Sequence, residues 1–263
     1  MSLERLFPDA MNRRAFVSRM AMAGLGAAAM AYLGNTVRAA DAPAGEFPDP
    51  KDLPGIPGRN QDQAVLNYAL TLEILEADLY RQALNRATGR EAGAPLENDP
   101  SAYRLRLGPG RLNGKAADAA FAYLVNFAAA EAAHRDFLRT AIEGQGGTPV
   151  QPNPGGYHFP NGPGDALDTL LDNLIVVEEV GVRAYLGAST LVNDFGLLTA
   201  AASIYSTECS HSSAIRVVLG ETPGPVKMKG DQQAFPADFS EGELEYYLEP
   251  KQVLEAVQPY IVH

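Results

Sequence analysis

Cysteine and basic residues are scarce in this sequence of 263 residues. The one cysteine, Cys209, excludes an internal disulfide and any Cys-x-x-Cys zinc or iron site within the chain. Lys and Arg number 21 against 32 Asp and Glu, so the formal net charge is -11. Binding to nucleic acid or to an anionic membrane generally requires a positive surface. We therefore expect neither of these partners.

Long hydrophobic runs are also missing. The mildly apolar run from Met20 to Gly34 is too short and too poor in Leu and Ile for a membrane span. It follows the pair Arg13-Arg14 and precedes Val37-Arg38-Ala39, which offers small residues for cleavage. This order resembles a twin-arginine export signal, with an ordinary secretory signal or a retained anchor as the alternatives. We expect residues 1–40 to be an export signal and the mature protein to be periplasmic or extracellular, without a stable membrane span.

Composition and periodicity divide the rest of the chain. Residues 41–60 are rich in proline, which favours an extended linker. Residues 61–220 hold four long segments in which apolar residues recur every three or four positions, as in amphipathic helices. Residues 221–263 form a C-terminal extension that we expect to pack on the helices, with one short helix near Pro250–Val257. The four long helices are predicted at Gln61–Ala87, at Lys115–Glu143, from the N-cap Asp165 to Val192, and, after the turn at Asn193-Asp194, as far as Gly220.

The connections predict how these helices are arranged. Residues 88–114 form a long insertion between helices 1 and 2. Residues 144–164, rich in Gly, Pro and Asn, are long enough to run from one end of a bundle to the other. Helices 2 and 3 would then be parallel. The predicted fold is all-α: a four-helix bundle with a long crossover between helices 2 and 3, plus the C-terminal extension.

Each predicted helix carries an apolar stripe that contains a carboxylate. In chain order the stripes are Leu66, Leu70, Glu73, Ala77, Tyr80 and Leu84; Ala120, Leu124, Phe127, Glu131, His134, Leu138 and Ile142; Leu167, Leu171, Leu174, Glu178, Gly181, Tyr185, Ala188 and Val192; and Leu197, Ala201, Ile204, Glu208, His211, Ile215 and Val218. An unpartnered carboxylate in a packed core costs more free energy than a folded domain can supply. A bound metal would offset that cost, whereas a bundle without metal would leave these acids exposed or merely hydrogen-bonded.

Four glutamates and two histidines are therefore the candidate metal ligands and candidate catalytic residues. They are Glu73, Glu131, His134, Glu178, Glu208 and His211. Each histidine lies three residues after a glutamate, so the pair shares a helix face. The order Glu, Glu-x-x-His, Glu, Glu-x-x-His is the ligand set of ferritin-like di-iron and di-manganese bundles. The sequence thus predicts two divalent ions, Fe or Mn, and does not choose between them because both accept carboxylate and imidazole.

Near the stripes, the choice of ligand on helix 1 and the role of two tyrosines remain open. Glu76 lies one turn from Glu73 and could replace it as a ligand. Glu73 and Tyr80 are seven residues apart, however, as are Glu178 and Tyr185, and this weak repeat favours Glu73. The two tyrosines are candidates for electron relay, for hydrogen bonds to the ligands, or for core packing.

Two further residues lie beside the stripes and are not assigned to the site. Glu179 points sideways from the stripe of helix 3, so we expect it to be solvated. Cys209 lies off the stripe of helix 4, and we interpret it as a small buried filler rather than a ligand.

Three phrases of the sequence resemble a known family. The phrases Leu66–Glu73, Val177–Val182 and Glu208–Arg216 are similar to bacterial ferritin-like proteins of the group that includes the desiccation-related proteins of plants. The resemblance covers about Gln61–Leu219 and implies a ferritin-like bundle. It also implies that Glu131 and Glu208 bridge the two ions and that each ion binds one of the two histidines. Glu73 and Glu178 would be terminal ligands.

The functional hypothesis follows from the ligands. Four carboxylates and two imidazoles give two divalent ions a nearly neutral site with open positions for an oxidant. We expect an exported oxidoreductase that acts on peroxide or dioxygen, as a ferroxidase or peroxidase-like enzyme, in stress protection. The alternatives are a desiccation or stress protein that sequesters iron without turnover, and a helical module with a structural metal. A homodimer is one candidate assembly.

Overall fold

The computed structural model describes Leu53, residues 55–233 and residues 244–263. The predicted export signal and most of the predicted linker lie outside these residues. Within them the chain forms four long helices, one short helix and two strands of two residues each. These elements are α1 (Gln61–Thr88), α2 (Gly114–Gly144), α3 (Leu167–Ala188), α4 (Phe195–Leu219), β1 (Gln232–Gln233), β2 (Tyr246–Tyr247) and α5 (Pro250–Val257). No helix in this part of the chain is both long and apolar enough to cross a membrane.

Polar caps and glycines account for the ends of α1 and α4. The side chains of Asn60 and Asp194 accept hydrogen bonds from backbone N–H groups in the first turns of α1 and α4, each at 2.9 Å. Such caps satisfy donors that have no partner within the helix. The two helices end before Gly89 and Gly220, whose φ angles of 67° and 81° are readily adopted by glycine. The predicted helix start at Gln61 and the predicted stop at Gly220 are thereby confirmed.

The boundaries of α3 differ from the prediction. Its N-cap is Ala166 rather than Asp165, and the hydroxyl of Thr169 accepts the hydrogen bond from the Ala166 N–H at 3.1 Å. Asp165 instead forms an ion pair with Arg86 at 2.9 Å. At the other end α3 stops at Ala188, and a single 3-10 turn replaces the α-helix that was predicted to continue.

Hydrogen bonds at the two ends of the bundle establish the path of the chain. Near the start of α1, Gln63 Nε2 donates to the carbonyl of Gln145, just after α2, at 3.2 Å. Helices α1 and α2 are therefore antiparallel. At the opposite end Leu167, the first residue of α3, donates its N–H to the carbonyl of Gly108, shortly before α2, at 2.8 Å. Helices α2 and α3 thus run in the same direction, which confirms the long crossover.

The helices bury different fractions of their surface. Helices α1 and α2 pack together, α3 packs on α4, and α1 also contacts α3. Helices α1 and α3 are buried on most sides, whereas α2 and α4 bury mainly one face. Part of the cover for α3 is the C-terminal extension, in which Tyr246 and Val253 are fully buried. The predicted all-α bundle is confirmed, and its carboxylate stripes face inward.

Candidate metal centre

The six predicted ligands lie together in the interior of the bundle. Helix α1 contributes Glu73, α3 contributes Glu178, and α2 and α4 each contribute a Glu-x-x-His pair. The four glutamates are at most 1% exposed, and His211 is 4% exposed. The side chain of His134 is 14% exposed. It therefore forms the edge of the cluster that is nearest to solvent.

The ligands form two overlapping groups, and within each group one ligand atom per residue lies within 4.8 Å of all the others. The first group is Glu73, Glu131, His134 and Glu208, and the second is Glu131, Glu178, Glu208 and His211. Glu131 and Glu208 belong to both groups. Two ions in adjacent positions would therefore share these two carboxylates, and each ion would have one further glutamate and one histidine.

Buried polar atoms that lack a hydrogen-bond partner are concentrated in this cluster. Among the described residues they include Glu73 Oε2, Glu178 Oε2 and both carboxylate oxygens of Glu208. Native proteins contain few such atoms. Each of these atoms can donate a lone pair to a cation, so a bound metal would satisfy several of them at once. The donor set therefore fits a metal ion.

Packing positions the two histidine rings. The ring of His211 stacks on Phe127 with 3.8 Å between centroids, and Phe127 stacks in turn on Tyr123 at 5.5 Å. The centroids of His134 and His211 are 6.4 Å apart. Both rings turn Nδ1 toward the glutamates, at 3.1 Å from Glu131 Oε2 for His134 and 2.8 Å from Glu131 Oε1 for His211.

In the absence of metal, the histidines offset part of the buried negative charge. Burial alone would lower the pKa of His211, but the charge of Glu178 and the contact with Glu131 raise it to about 10. Burial would likewise lower the pKa of His134, but three neighbouring carboxylates raise it far above its ordinary value. Burial would raise the pKa of Glu131, but its contacts with both histidines lower it to about 2.

The other three carboxyl groups of the cluster hold their protons more tightly. Burial raises the pKa of Glu73 to about 7 despite the opposing effect of His134. Burial also raises the pKa of Glu178, and burial together with the charges of Glu131 and Glu178 raises the pKa of Glu208 well above its ordinary value. Metal ligands must be deprotonated, so metal binding would release protons from these groups.

Two tyrosines each donate a hydrogen bond to a glutamate of the opposite helix. Tyr185 on α3 donates to Glu73 Oε1 on α1 at 2.6 Å, and Tyr80 on α1 donates to Glu178 Oε1 on α3. Both tyrosines are buried. Of the three roles considered from the sequence, the structure shows hydrogen bonding to the candidate ligands. Such bonds fix the orientation of a ligating carboxylate.

The expectation that Glu179 is solvated was wrong. Glu179 is 5% exposed and accepts hydrogen bonds from Arg183, Ser212 and Arg216 at 2.6, 2.7 and 2.8 Å. Arg183 is itself fully buried and also pairs with Asp231 at 2.5 Å. Glu179 and Arg183 are four residues apart, so the sequence alone could have indicated the contact between their side chains. These residues form a structural ion-pair network beside the candidate metal centre.

Cys209 and Glu76 are the two remaining residues for which the sequence raised a role in or beside the site. Cys209 is only partly buried, so it is not the buried filler that we expected, and it lies outside both ligand groups. Glu76 is 2% exposed and also lies outside both groups, whereas Glu73 belongs to the first. The sequence left Glu76 open as a replacement for Glu73, and Glu76 is buried although it lies off the main stripe of α1.

Residues 61–221 match a family model described as a ferritin-like domain. The match spans more than half of the chain, and this protein belongs to the ferritin-like domain family. No curated protein matches the sequence. The narrower similarity to the desiccation-related group stays a prediction. The family and the cluster of glutamates and histidines together fit a metal-binding ferritin-like protein.

Proposed function

We propose that this protein holds two divalent ions, iron or manganese, through the six residues of the two ligand groups. In this proposal Glu131 and Glu208 bridge the ions. Glu73 and His134 complete one site, and Glu178 and His211 complete the other. The observation that carries the proposal is that the two groups share two carboxylates, an arrangement that lets two neighbouring ions use the same ligands and that a single-ion site does not need.

The function that this site supports best is redox chemistry on peroxide or dioxygen, as a ferroxidase or peroxidase-like enzyme in stress protection. The metal pair would pass electrons to the oxidant, and a reductant from outside the chain would restore them after each turnover. The protein would hold the terminal carboxylates in place through Tyr80 and Tyr185, and it would keep bulk water away because most of the ligands are buried. His134, at the more exposed edge, marks the side from which a small oxidant would reach the ions.

Export belongs to the same proposal and is supported by the Arg13-Arg14 pair in the sequence. A twin-arginine signal transports folded proteins, so metal could be loaded in the cytoplasm, where its supply is regulated. The protein would then act in the periplasm or outside the cell.

Metal analysis of the purified full chain tests the dinuclear site. We expect two ions per chain after loading with Mn²⁺ or Fe²⁺, and fewer in Glu131→Gln because one shared carboxylate is lost. Glu143→Gln is a matched control, since Glu143 is an exposed glutamate near the end of the same helix. Two tightly bound ions in Glu131→Gln would contradict a bridging role for Glu131.

Peroxide consumption by the loaded protein tests the reaction. Steady-state turnover that is lost in Glu131→Gln and kept in Glu143→Gln would support an oxidoreductase. Two bound ions without turnover of peroxide or dioxygen would instead favour the non-catalytic metal-binding protein.

A further inference from the structure

The repeat between α1 and α3 extends to a position that the proposed ligand set does not use. Glu73 and Tyr80 on α1 correspond to Glu178 and Tyr185 on α3, and each tyrosine donates a hydrogen bond to the glutamate of the other helix. In this register the counterpart of Glu76 is Gly181. The repeat is therefore broken at one position, where α1 has a carboxylate and α3 has no side chain.

Glu76 is a buried acid that lacks a compensating partner. It is 2% exposed, and its Oε2 has no hydrogen-bond partner in the described part of the chain. The charged groups that act on it most strongly are the four glutamates of the candidate metal centre, with Glu208 first. A buried carboxyl group without a partner costs free energy. Glu179 shows how this chain otherwise buries an acid, because there two arginines and a serine supply hydrogen bonds.

Gly181 provides the space into which Glu76 reaches. A Cβ atom at position 181 would lie 2.9 Å from Glu76 Oε1 and 2.8 Å from Glu208 Oε2. Both contacts are too short for a carbon atom, so a side chain at this position would displace the two carboxylates. Gly181 lies inside α3, where glycine is a poorer helix former than alanine. The missing side chain thus leaves an oxygen of Glu76 and an oxygen of Glu208 facing the same small volume.

We propose that Glu76 is a seventh ligand of the metal centre and binds one of the two ions as a fifth carboxylate beside Glu208. This inference rests on the proposed dinuclear site. A cation in the volume next to Gly181 would contact Oε1 of Glu76 and Oε2 of Glu208, and its charge would compensate both buried carboxylates. Because α3 has glycine at the matching position, only one ion of the pair gains this ligand, and the two metal positions are chemically unequal.

Stepwise titration of the metal-free full chain with Mn²⁺ tests this assignment through Glu76→Gln, which keeps the side-chain shape and removes the charge. We expect the dissociation constant of one ion to rise about ten-fold or more, the size of effect produced even by residues that only support metal ligands. The dissociation constant of the other ion should change much less. The matched control Glu143→Gln, at an exposed position on α2, should leave both constants unchanged.

The outcomes separate this inference from the proposed function. Two unchanged dissociation constants in Glu76→Gln would overturn the role of Glu76 and leave the dinuclear site intact. Failure of the unmodified chain to bind Mn²⁺ would overturn both. Gly181→Ala offers an independent variant: its Cβ would displace Glu76 together with the shared ligand Glu208, so it should weaken the ion affected by Glu76→Gln and the other ion as well.

A crystal structure of the unmodified chain loaded with Zn²⁺ gives a test that requires no variant to fold. We expect a Glu76 carboxylate oxygen within about 2.2 Å of a zinc ion. A Glu76 side chain that contacts only protein atoms or water in that structure would overturn the assignment.

Discussion

At the scale of single residues, Glu208 is the group most in conflict with a metal-free interior. Both of its carboxylate oxygens are buried without hydrogen-bond partners, and the charges of Glu131 and Glu178 add to the effect of burial in raising its pKa. An unsatisfied buried group costs about 1–3 kcal/mol, and more when it is charged. In the metal-free protein Glu208 therefore reduces stability, whereas in the proposed holoprotein it bridges the ions.

Removing the charge of Glu208 should separate metal binding from folding. We expect Glu208→Gln to lose at least one of the two ions, and its metal-free form to be as stable as the unmodified protein or more stable, because one of several crowded carboxylates becomes neutral. Metal analysis and thermal unfolding in the presence of a chelator measure the two effects. Retention of both ions, or a strongly destabilised metal-free variant, would be inconsistent with this account.

The hydroxyl of Tyr185 should influence metal affinity through Glu73. Tyr185→Phe keeps the ring and removes the hydrogen bond to Glu73 Oε1, so the carboxylate loses its orientation. We expect a loss of about 10- to 100-fold in affinity for one ion, and a similar loss from Tyr80→Phe, which acts through Glu178. Stepwise Mn²⁺ titration measures both. Tyr123→Phe is the control, since Tyr123 is only partly buried and stacks on Phe127.

At the scale of helices, periodicity was sufficient to bring the six ligands together. Each long helix packs through its apolar stripe, so a glutamate within the stripe reaches the interior whatever the details of the loops. The stripes alone decided neither the role of Glu76 nor the burial of Glu179, because α1 and α3 are buried on additional faces. The contacts of Glu179 involve distant residues, since its partner Arg183 also pairs with Asp231, 48 positions further along the chain. Local patterns contain no information about such pairs.

The ion-pair network beside Glu179 should anchor the segment around Asp231 to α3. Asp231→Ala leaves the buried guanidinium of Arg183 with one carboxylate instead of two, and breaking a buried pair in this way typically costs about 3–5 kcal/mol. Denaturant unfolding of the full chain measures the change. The matched control Asp165→Ala removes a fully solvated partner of Arg86 and should cost less than about 1 kcal/mol. If Asp231→Ala lowers the free energy of unfolding no more than the small loss expected for Asp165→Ala, the network does not contribute to stability.

At the scale of the whole molecule, the site links folding stability to pH. A group whose pKa is higher in the folded protein stabilises the fold below its unfolded pKa, and that contribution is lost as pH rises through the folded pKa. Glu73 loses its contribution between its ordinary value of 4.5 and about 7, and His211 between 6.5 and about 10. The raised pKa values of Glu178 and Glu208 act in the same direction. The lowered pKa of Glu131 acts in the opposite direction, but only below pH 4.5.

The metal-free protein should therefore lose stability as pH rises from about 5 to about 8, and metal should reverse the trend. With a chelator present, we expect the melting temperature to fall across this range because the crowded carboxyl groups and the histidines lose protons. With excess Mn²⁺ the same deprotonation favours binding, and ligand binding to the folded state raises its stability. The difference in melting temperature between the two conditions should thus widen with pH. Glu73→Gln removes one titrating group, so its metal-free form should show a shallower fall. A difference between the two conditions that stays constant with pH would mean that the clustered glutamates and histidines do not bind the metal.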